Sequence, residues 1–237
     1  GKNTFVRGTV ESEEEAFGLT FKSPKIKFQK HFANNIELQV DNNNPLFNTY
    51  VEVDSINTDF YKVSKFNLIN VTVNDTLFMR SEFKGGKRNN DIFNLSFYHT
   101  INKKSESVLG FKKSDFTIKN RKWFVNNKND TLNNVSFDKG LTKFNLNNFK
   151  ISHNNEEIKL SGSLKDSTQK DLKLNFKNVN LAKITPDIDS LSLAGNVNGY
   201  LKIFQIDGNY QPESEIDIFN FKVNNFPLGD FDANIKG

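Results

Sequence analysis

Apolar residues recur at every second position along nearly the whole chain, and this spacing limits the folds that the chain can adopt. A period of two places alternate side chains on opposite faces of a β-strand, whereas a helix needs apolar residues three or four positions apart. The alternation continues for roughly four to nine residues and then meets Asn, Gly, Asp or Pro, which favour turns. Such runs include Ile36, Leu38 and Val40, and later Leu172, Leu174 and Phe176. The sequence therefore predicts an all-β protein of about 16 or more short antiparallel strands.

One alternating phrase occurs four times, and each copy contains a step that breaks the alternation. The copies read FNLINVTV at 66–73, FNLNNFKI at 144–151, LNFKNVNL at 174–181 and IDIFNFKV at 216–223. A β-bulge inserts one residue into a strand, which bends the strand and returns the apolar residues after the step to the original face. Because Asn tolerates the unusual backbone angles of such a site, we expect bulges at Asn70, Asn148, Asn178 and Asn220.

Bends at one level of an antiparallel sheet would curl that sheet into a groove with an apolar interior. The repeats indicate an array in which each part packs on its neighbours, so we expect one elongated, folded-over antiparallel β-sheet (a β-taco) over residues 1–237. The predicted wall of the groove consists of Phe66, Leu68, Val71, Val73, Phe144, Leu146, Phe149, Ile151, Leu174, Phe176, Ile216, Ile218, Phe221 and Val223. The alternative is two β-sandwiches divided near 110–115, in which each step is an edge bulge or a tight hairpin.

The chain lacks the residue patterns of the common catalytic and metal sites. It has no cysteine and three histidines, and these histidines do not have the close spacing of zinc ligands. It contains no Gly-x-Ser-x-Gly elbow, P-loop or Gly-x-Gly-x-x-Gly motif. We therefore expect that the protein is not an enzyme and that it binds neither a metal nor a cofactor.

Charge and hydropathy narrow the range of partners. The 32 basic and 28 acidic residues give a net charge of +4 and are spread along the chain, so no concentrated positive field for nucleic acid is expected. No apolar run approaches the roughly 18 residues that a membrane-spanning helix needs. The apolar face of the predicted sheet must nevertheless be covered, and a facing sheet, a bilayer or acyl chains would each cover it.

Several stretches of the chain resemble the TamB family, the translocation and assembly module of Gram-negative envelopes. The resemblance lies at 36–54, 74–86, 113–127, 172–203 and 210–237, with phrases typical of the family at 195–199 and 228–231. TamB chains are much longer and carry an N-terminal membrane anchor. The resemblance therefore implies that this chain is a fragment of the long periplasmic region.

The resemblance also implies a function. TamB-like and AsmA-like proteins are bridge-type lipid transfer proteins whose hydrophobic groove conducts phospholipids between the inner and outer membranes, and they support outer-membrane protein assembly and secretion. The implied partners are phospholipid acyl chains and a TamA-like outer-membrane barrel protein, contacted through parts outside this fragment. The implied location is the periplasm, with attachment to the inner membrane through the absent anchor.

Two other functions stay open on the residues alone. A chaperone-like scaffold would pair an exposed strand edge with a strand of an incoming outer-membrane protein. A β-sandwich adhesin or carbohydrate-binding module would present aromatic platforms, and Trp123 and Tyr200 are too scattered to indicate one.

Overall fold

The computed structural model describes residues 3–59, 61–86, 88–128, 131–185 and 191–236. β-strands account for 73% of the residues and helix for 2%, which confirms the predicted all-β, antiparallel fold. The chain divides into two compact units, one formed by Gly1–Thr100 with Asp115–Asn120 and the other by Ile101–Ser114 with Arg121–Gly237.

Eighteen strands and one short helix lie within the described residues. The first ten strands are β1 (Phe5–Glu11), β2 (Ala16–Phe28), β3 (His31–Asp41), β4 (Thr49–Asn57), β5 (Lys62–Val73), β6 (Thr76–Gly85), β7 (Asp91–Ile101), β8 (Ser107–Phe111), β9 (Ser114–Ile118) and β10 (Arg121–Val125). They are followed by β11 (Asn134–Phe137), β12 (Lys143–His153), β13 (Glu156–Lys165), β14 (Gln169–Asn180), helix α1 (Leu181–Ile184), β15 (Leu193–Ile206), β16 (Asn209–Tyr210), β17 (Glu213–Val223) and β18 (Phe226–Lys236).

The first unit is a meander in which β1 to β7 pair in chain order. Strand β9 then pairs with β7. All of these pairings are antiparallel, as short connections between consecutive strands require.

The second unit is also built from antiparallel hairpins. Strand β11 pairs with β8 and β12, and the order continues through β13, β14, β15, β17 and β18. Strand β10 pairs with the last residues of β12, beyond the part that β11 occupies. The two-residue β16 pairs with the end of β15.

Asparagine and aspartate adopt left-handed backbone angles where the chain reverses. Asn74 and Asp75 join β5 to β6 with φ values of 47° and 56°, and Asn224 and Asn225 join β17 to β18 with φ values of 50° and 65°. Two consecutive turn residues with positive φ match the right-handed twist of the strands that they connect. The frequent Asn residues of the sequence therefore specify tight hairpins.

Few apolar side chains are fully buried. Within the described residues the buried hydrophobic side chains are Val53, Trp123, Val125, Val179, Val197 and Ile216. Most of the other apolar side chains are half-buried, and several are exposed. A closed sandwich would place the inner residues of both layers in a dry core. Much of the apolar surface therefore stays accessible.

Candidate functional site

The apolar side chains of the second unit share one face of its sheet. Strand β13 pairs with β14 from Glu157 to Lys165 without a register shift, so Ile158, Leu160 and Leu164 lie on one face. Their partners on β12 are Ile151, Phe149 and Phe144, in the same order. On β14, Ile158 pairs with Phe176 and Leu160 pairs with Leu174, so these partners are apolar as well. This apolar face is the candidate site.

Three bulges keep the apolar residues on this face. The register shifts between Leu146 and Phe149 on β12, between Phe176 and Val179 on β14, and between Ile218 and Phe221 on β17. The left-handed residues within these shifts are Asn148, Asn178 and Asn220, with φ values of 50°, 51° and 53°. These are three of the four positions at which the sequence predicts a bulge. Without the inserted residue, the side chains beyond each bulge would turn to the opposite face.

A side chain on the partner strand binds the backbone amide at two of these bulges. The N–H of Asn178 donates to Oδ1 of Asn198 at 2.8 Å, and the N–H of Asn220 donates to Oδ1 of Asp230 at 2.8 Å. A bulged residue loses its place in the ladder of backbone hydrogen bonds, and the side-chain oxygen on the neighbouring strand replaces the lost acceptor. Both strands of these pairs therefore specify the bulge.

The bulges of the second unit lie at successive levels along the strands. The β12 bulge faces Ser161, which pairs with Lys173 on β14. The β14 bulge contains Asn178. At the β17 bulge, Phe219 pairs with Asn196 on β15, and Asn196 pairs in turn with Asn180 on β14. The β17 bulge is therefore level with Asn180. The expectation that the bends lie at one level is therefore wrong for this unit, since each strand carries its step at a different distance from its end.

Ten of the predicted wall residues lie on this apolar face. They are Phe144, Leu146, Phe149, Ile151, Leu174, Phe176, Ile216, Ile218, Phe221 and Val223. Because neighbouring strands are about 4.8 Å apart, paired apolar residues form a continuous surface across the sheet. Their binding of acyl chains stays a prediction.

The apolar face is partly open. Leu201 and Ile203 on β15 are 41% and 49% exposed, and Phe231 on β18 is 47% exposed. All three belong to the same face, because they pair with Leu174, Leu172 and Ile218. An apolar surface that stays open to solvent is typical of a binding site.

Helix α1 covers one part of the apolar face. Leu181 and Ile184 pack against a cluster formed by Val179, Val197 and Ile216, which are 1%, 4% and 8% exposed. Phe176, Ile218 and Ile158 also pack against this cluster. The chain itself therefore fills this part of the face, and the open part lies beyond it.

The first unit carries its own aromatic ladder, which begins at Phe66. Ring centroids are 6.0 Å apart for Phe66 and Phe83, 4.4 Å for Phe83 and Phe93, and 5.9 Å for Phe93 and Phe116. Leu68, the second predicted wall residue of this unit, is on the same face of β5 and pairs with Val51 on β4. Such aromatic pairs stabilise the folded chain by more than the burial of their apolar area alone would.

The prediction of a bulge at Asn70 is wrong. Asn70 pairs regularly with Thr49 on β4 and Met79 on β6. Val71 and Val73 therefore lie on the face opposite to Phe66 and Leu68, and their assignment to the same wall is also wrong. Val71 pairs instead with Phe78, whose partner on β7 is Tyr98. Val71 thus lies beside aromatic residues on the other face of the sheet, and because that face is apolar there, no bulge is needed.

The bulge of β5 lies five residues before Asn70. The register with β6 shifts between Ser64 and Asn67, and Lys65 has a φ of 52°. On β3 the left-handed Asn35, with φ of 47°, donates from Nδ2 to Oδ2 of Asp54 at 2.6 Å. Asp54 lies between Asn35 and Lys65 in the pairing of β3, β4 and β5. The sequence signal was the three-residue spacing from Val63 to Phe66, which the repeated phrase did not include.

The opposite face of the second unit is polar. Nζ of Lys173 lies 3.8 Å from the ring centroid of Tyr200, and the hydroxyl of Tyr200 donates to Oε1 of Glu213 at 2.6 Å. That hydrogen bond raises the pKa of Tyr200 and lowers the pKa of Glu213. Charged and aromatic groups here partner one another.

A polar cluster that the sequence did not predict joins β10 to the β12–β13 hairpin. Nε of Arg121 donates to Nε2 of His153 at 3.2 Å, and its guanidinium group also binds the carboxylate of Glu156. The His153 ring packs on Trp123 at 5.6 Å between centroids, and Trp123 is completely buried. The contacting partners on β10 and on the β12–β13 hairpin are 30 or more positions apart in the chain, so a local pattern could not reveal the cluster.

The described part of the chain contains no group of three or more His, Cys, Asp or Glu residues that could hold a metal ion. Among the helices in the described ranges, none has the length and apolar character needed to cross a membrane. The chain matches no family model, no curated protein and no solved structure.

Proposed function

We propose that the apolar faces of this chain hold phospholipid acyl chains and conduct them, in the periplasm, between the inner and outer membranes. In this proposal the chain is a segment of a TamB-like protein. The resemblance in sequence supports the location between the two membranes, and the open apolar face of the second unit supports the ligand class.

The observation that carries the proposal is the continuity of that face through three bulges. Each bulge at Asn148, Asn178 and Asn220 adds a residue, and this addition keeps the apolar side chains of five strands on one side. A strand loses a ladder position at each bulge, so the arrangement sacrifices backbone pairing for a continuous apolar surface.

Acyl chains match this surface in chemistry. Transfer of each methylene group from water to an apolar surface is favourable by about 0.8 kcal/mol, while a phosphate head group remains in water. Half-exposed side chains such as Leu201 and Ile203 provide the surface without a specific pocket. Movement along the face then exchanges one set of contacts for an equivalent set, and no chemical step is required.

Site-specific photocrosslinking tests the proposal. A photoreactive residue in place of Phe149 or Leu174 should yield crosslinks to phospholipid in envelope extracts. The same residue in place of Asn145 or Asn175, which lie on the polar face of the same strands, should yield none. Crosslinks to polypeptides alone at Phe149 and Leu174 would support a scaffold for outer-membrane proteins and refute lipid conduction.

Charges on the two faces provide a second test. The pair Leu146→Asp and Leu174→Lys places unpaired charges on the apolar face, and each costs several kcal/mol if an acyl chain desolvates it. Lipid transfer should then fall sharply. The matched pair Asn145→Asp and Asn175→Lys puts the same charges on the polar face and should leave transfer unchanged. Equal transfer by both variants would contradict the proposal.

A further inference from the structure

Strand β18 has one open edge. It pairs with β17 along one side, and no pairing along its other side involves a described residue. Every residue of β18 except Ala233 is exposed. An edge strand presents unpaired N–H and C=O groups, and another strand can bind them. This edge is therefore a candidate surface for the addition of a strand.

The features that protect an edge from pairing lie in the first part of β18. Natural proteins protect such edges with proline, bulges or charged side chains. Pro227 lies near the start of the strand, and the register with β17 shifts on either side of Gly229. From Phe231 to Lys236 the pairing with β17 is regular. Apart from its charges, the second part of the strand is therefore open to a partner.

The polar side chains of this part complement those of a second copy in antiparallel pairing. The last seven residues of β18 read DFDANIK. When Ala233 lies opposite Ala233 of the second copy, Asp230 lies opposite Lys236, and this pair occurs twice. Asp232 lies opposite Asn234, whose side-chain amide donates hydrogen bonds to a carboxylate. Opposite charges on directly opposed residues stabilise antiparallel strands, so the charges that protect the edge from other strands favour this one.

The apolar side chains and the backbone match in the same register. Phe231 lies opposite Ile235 of the second copy, and these side chains are 47% and 48% exposed in the single chain. Both belong to the apolar face, since they pair with Ile218 and Ser214 on β17, on either side of Ile216. Even-numbered residues meet even-numbered ones and odd-numbered residues meet odd-numbered ones. The N–H and C=O groups that point outward in one copy therefore meet those that point outward in the other.

The two adjacent registers are less favourable. With Asp232 opposite itself, two carboxylates would meet, and Asp232 already lies opposite Asp217 on β17. Like charges in that position destabilise the pairing. With Asn234 opposite itself, Phe231 would lie opposite Gly237 and would lose its apolar partner. The self-complementary register is therefore specified by both faces of the strand.

We propose that β18 pairs with β18 of a second copy of this chain, antiparallel about a two-fold axis at Ala233. Such an isologous contact closes on itself, so the product is a dimer and not a filament. The second units of the two copies then form one sheet whose apolar faces lie on the same side. The contact is small, and the dimer forms reversibly. The proposal does not depend on lipid conduction, because only protein strands take part.

Single cysteine variants test the position of the axis, because the chain has no cysteine of its own. In Ala233→Cys the two thiols lie on directly opposed residues of neighbouring strands, within reach of a disulfide. Mild oxidation should therefore link two chains. In the control Asn234→Cys each thiol lies opposite Asp232 of the other copy. The two Cα atoms are then roughly 7–8 Å apart, which is too far for the bond. Equal linkage in both variants, or linkage in neither, would overturn the proposal.

Sedimentation equilibrium over a concentration series measures the association itself. The parent chain should show a reversible equilibrium between monomer and dimer. Asn234→Asp places a carboxylate opposite Asp232 twice and should raise the dissociation constant about tenfold or more. The control Asn175→Asp adds the same charge to the same face on β14, away from the edge, and should leave the constant unchanged. A chain that stays monomeric, assemblies larger than a dimer, or equal weakening by both variants would overturn the proposal. If Asn234→Asp alters β18 itself, the cysteine variants still decide.

Discussion

Arg121 and Glu156 form an ion pair that connects β10 to the first residue of β13, across 35 positions of the chain. One guanidinium nitrogen lies 3.3 Å from Oε2, a second binds Oε1, and Oε2 also accepts from the N–H of Asn180 at 3.3 Å. The Glu156 side chain is 9% exposed. Removal of Glu156 therefore leaves the mostly buried guanidinium charge of Arg121 and the partly buried N–H of Asn180 without a partner.

Glu156→Ala should lower the free energy of unfolding by about 3–5 kcal/mol, the cost of breaking a buried pair from one side. Denaturant unfolding followed by Trp123 fluorescence would measure it, since Trp123 packs in the same cluster. The neighbouring Glu157→Ala is the control, because Glu157 pairs with Lys150 at a more exposed position. Such a pair contributes about 1 kcal/mol or less, so similar losses in the two variants would contradict burial of the first pair.

Asn178 and Asn70 should respond in opposite ways to substitution by valine. Asn178 has a φ of 51°, a conformation that costs a β-branched residue about 1–2 kcal/mol, so Asn178→Val should destabilise the chain. Asn178→Gly should cost little. Asn70 has regular strand geometry, and its buried Oδ1 has no hydrogen-bond partner among the described residues. Asn70→Val should therefore be neutral or stabilising in thermal unfolding, and an equal loss for both valine variants would refute the bulge assignment.

Gly199 should not tolerate a methyl group. Its φ is 107°, and an added Cβ would lie 2.0 Å from the carbonyl oxygen of Glu215 on β17. The strands would have to separate, so Gly199→Ala should cost several kcal/mol in denaturant unfolding. Gly208, with φ of 82° and open space around its Cβ position, is the control for backbone strain alone. Gly208→Ala should cost about 1 kcal/mol, and comparable losses would show that the steric contact is unimportant.

Tyr50 should lose its proton at a higher pH than an ordinary tyrosine, because its hydroxyl group donates to Glu52. The Tyr50 hydroxyl donates to Oε2 of Glu52 at 2.5 Å, and this bond, with burial, raises the pKa of Tyr50 to about 12. The folded chain therefore holds this proton more tightly than the unfolded chain, whose tyrosines titrate near pH 10. The stability from the bond is complete below about pH 10 and is lost as the pH rises through about 12. Glu52→Gln should lower this pKa in an absorbance titration of tyrosinate, and an unchanged titration would exclude the bond.

The strands were predictable from the sequence because a period of two is a local property. Runs such as Ile36, Leu38 and Val40 form strand β3 where the alternation places them. The bulges were predictable only in part. Where two apolar residues are three positions apart, the strand has two possible structures. It contains a bulge, as at Asn148, and both residues lie on one face, or it stays regular, as at Val71, and they lie on opposite faces. The composition of the opposite face decides between these outcomes, and that depends on strands such as β6 and β7.

The site was predictable to the same extent and for the same reason. Ten of the wall residues share a face because their pairing follows from consecutive hairpins. The cover that α1 provides over Val197 and Ile216 was not predictable, since Leu181 and Ile184 read as the end of an apolar strand phrase. The contact of Arg121 with Glu156 was hidden because it depends on the pairing of β10 with the distant end of β12, where Phe124 is opposite Ser152.

The stepped arrangement of the three bulges has a consequence for the path along the apolar face. Measured along β14, the bulge of β12 is level with Lys173 and the bulge of β17 is level with Asn180. These two levels are about 23 Å apart at the rise of an extended strand. Because each bulge bends and twists its strand, the line that connects them is a crease oblique to the strand direction. A sheet creased obliquely coils, so a long flexible molecule on this face would follow a helical course instead of a straight one.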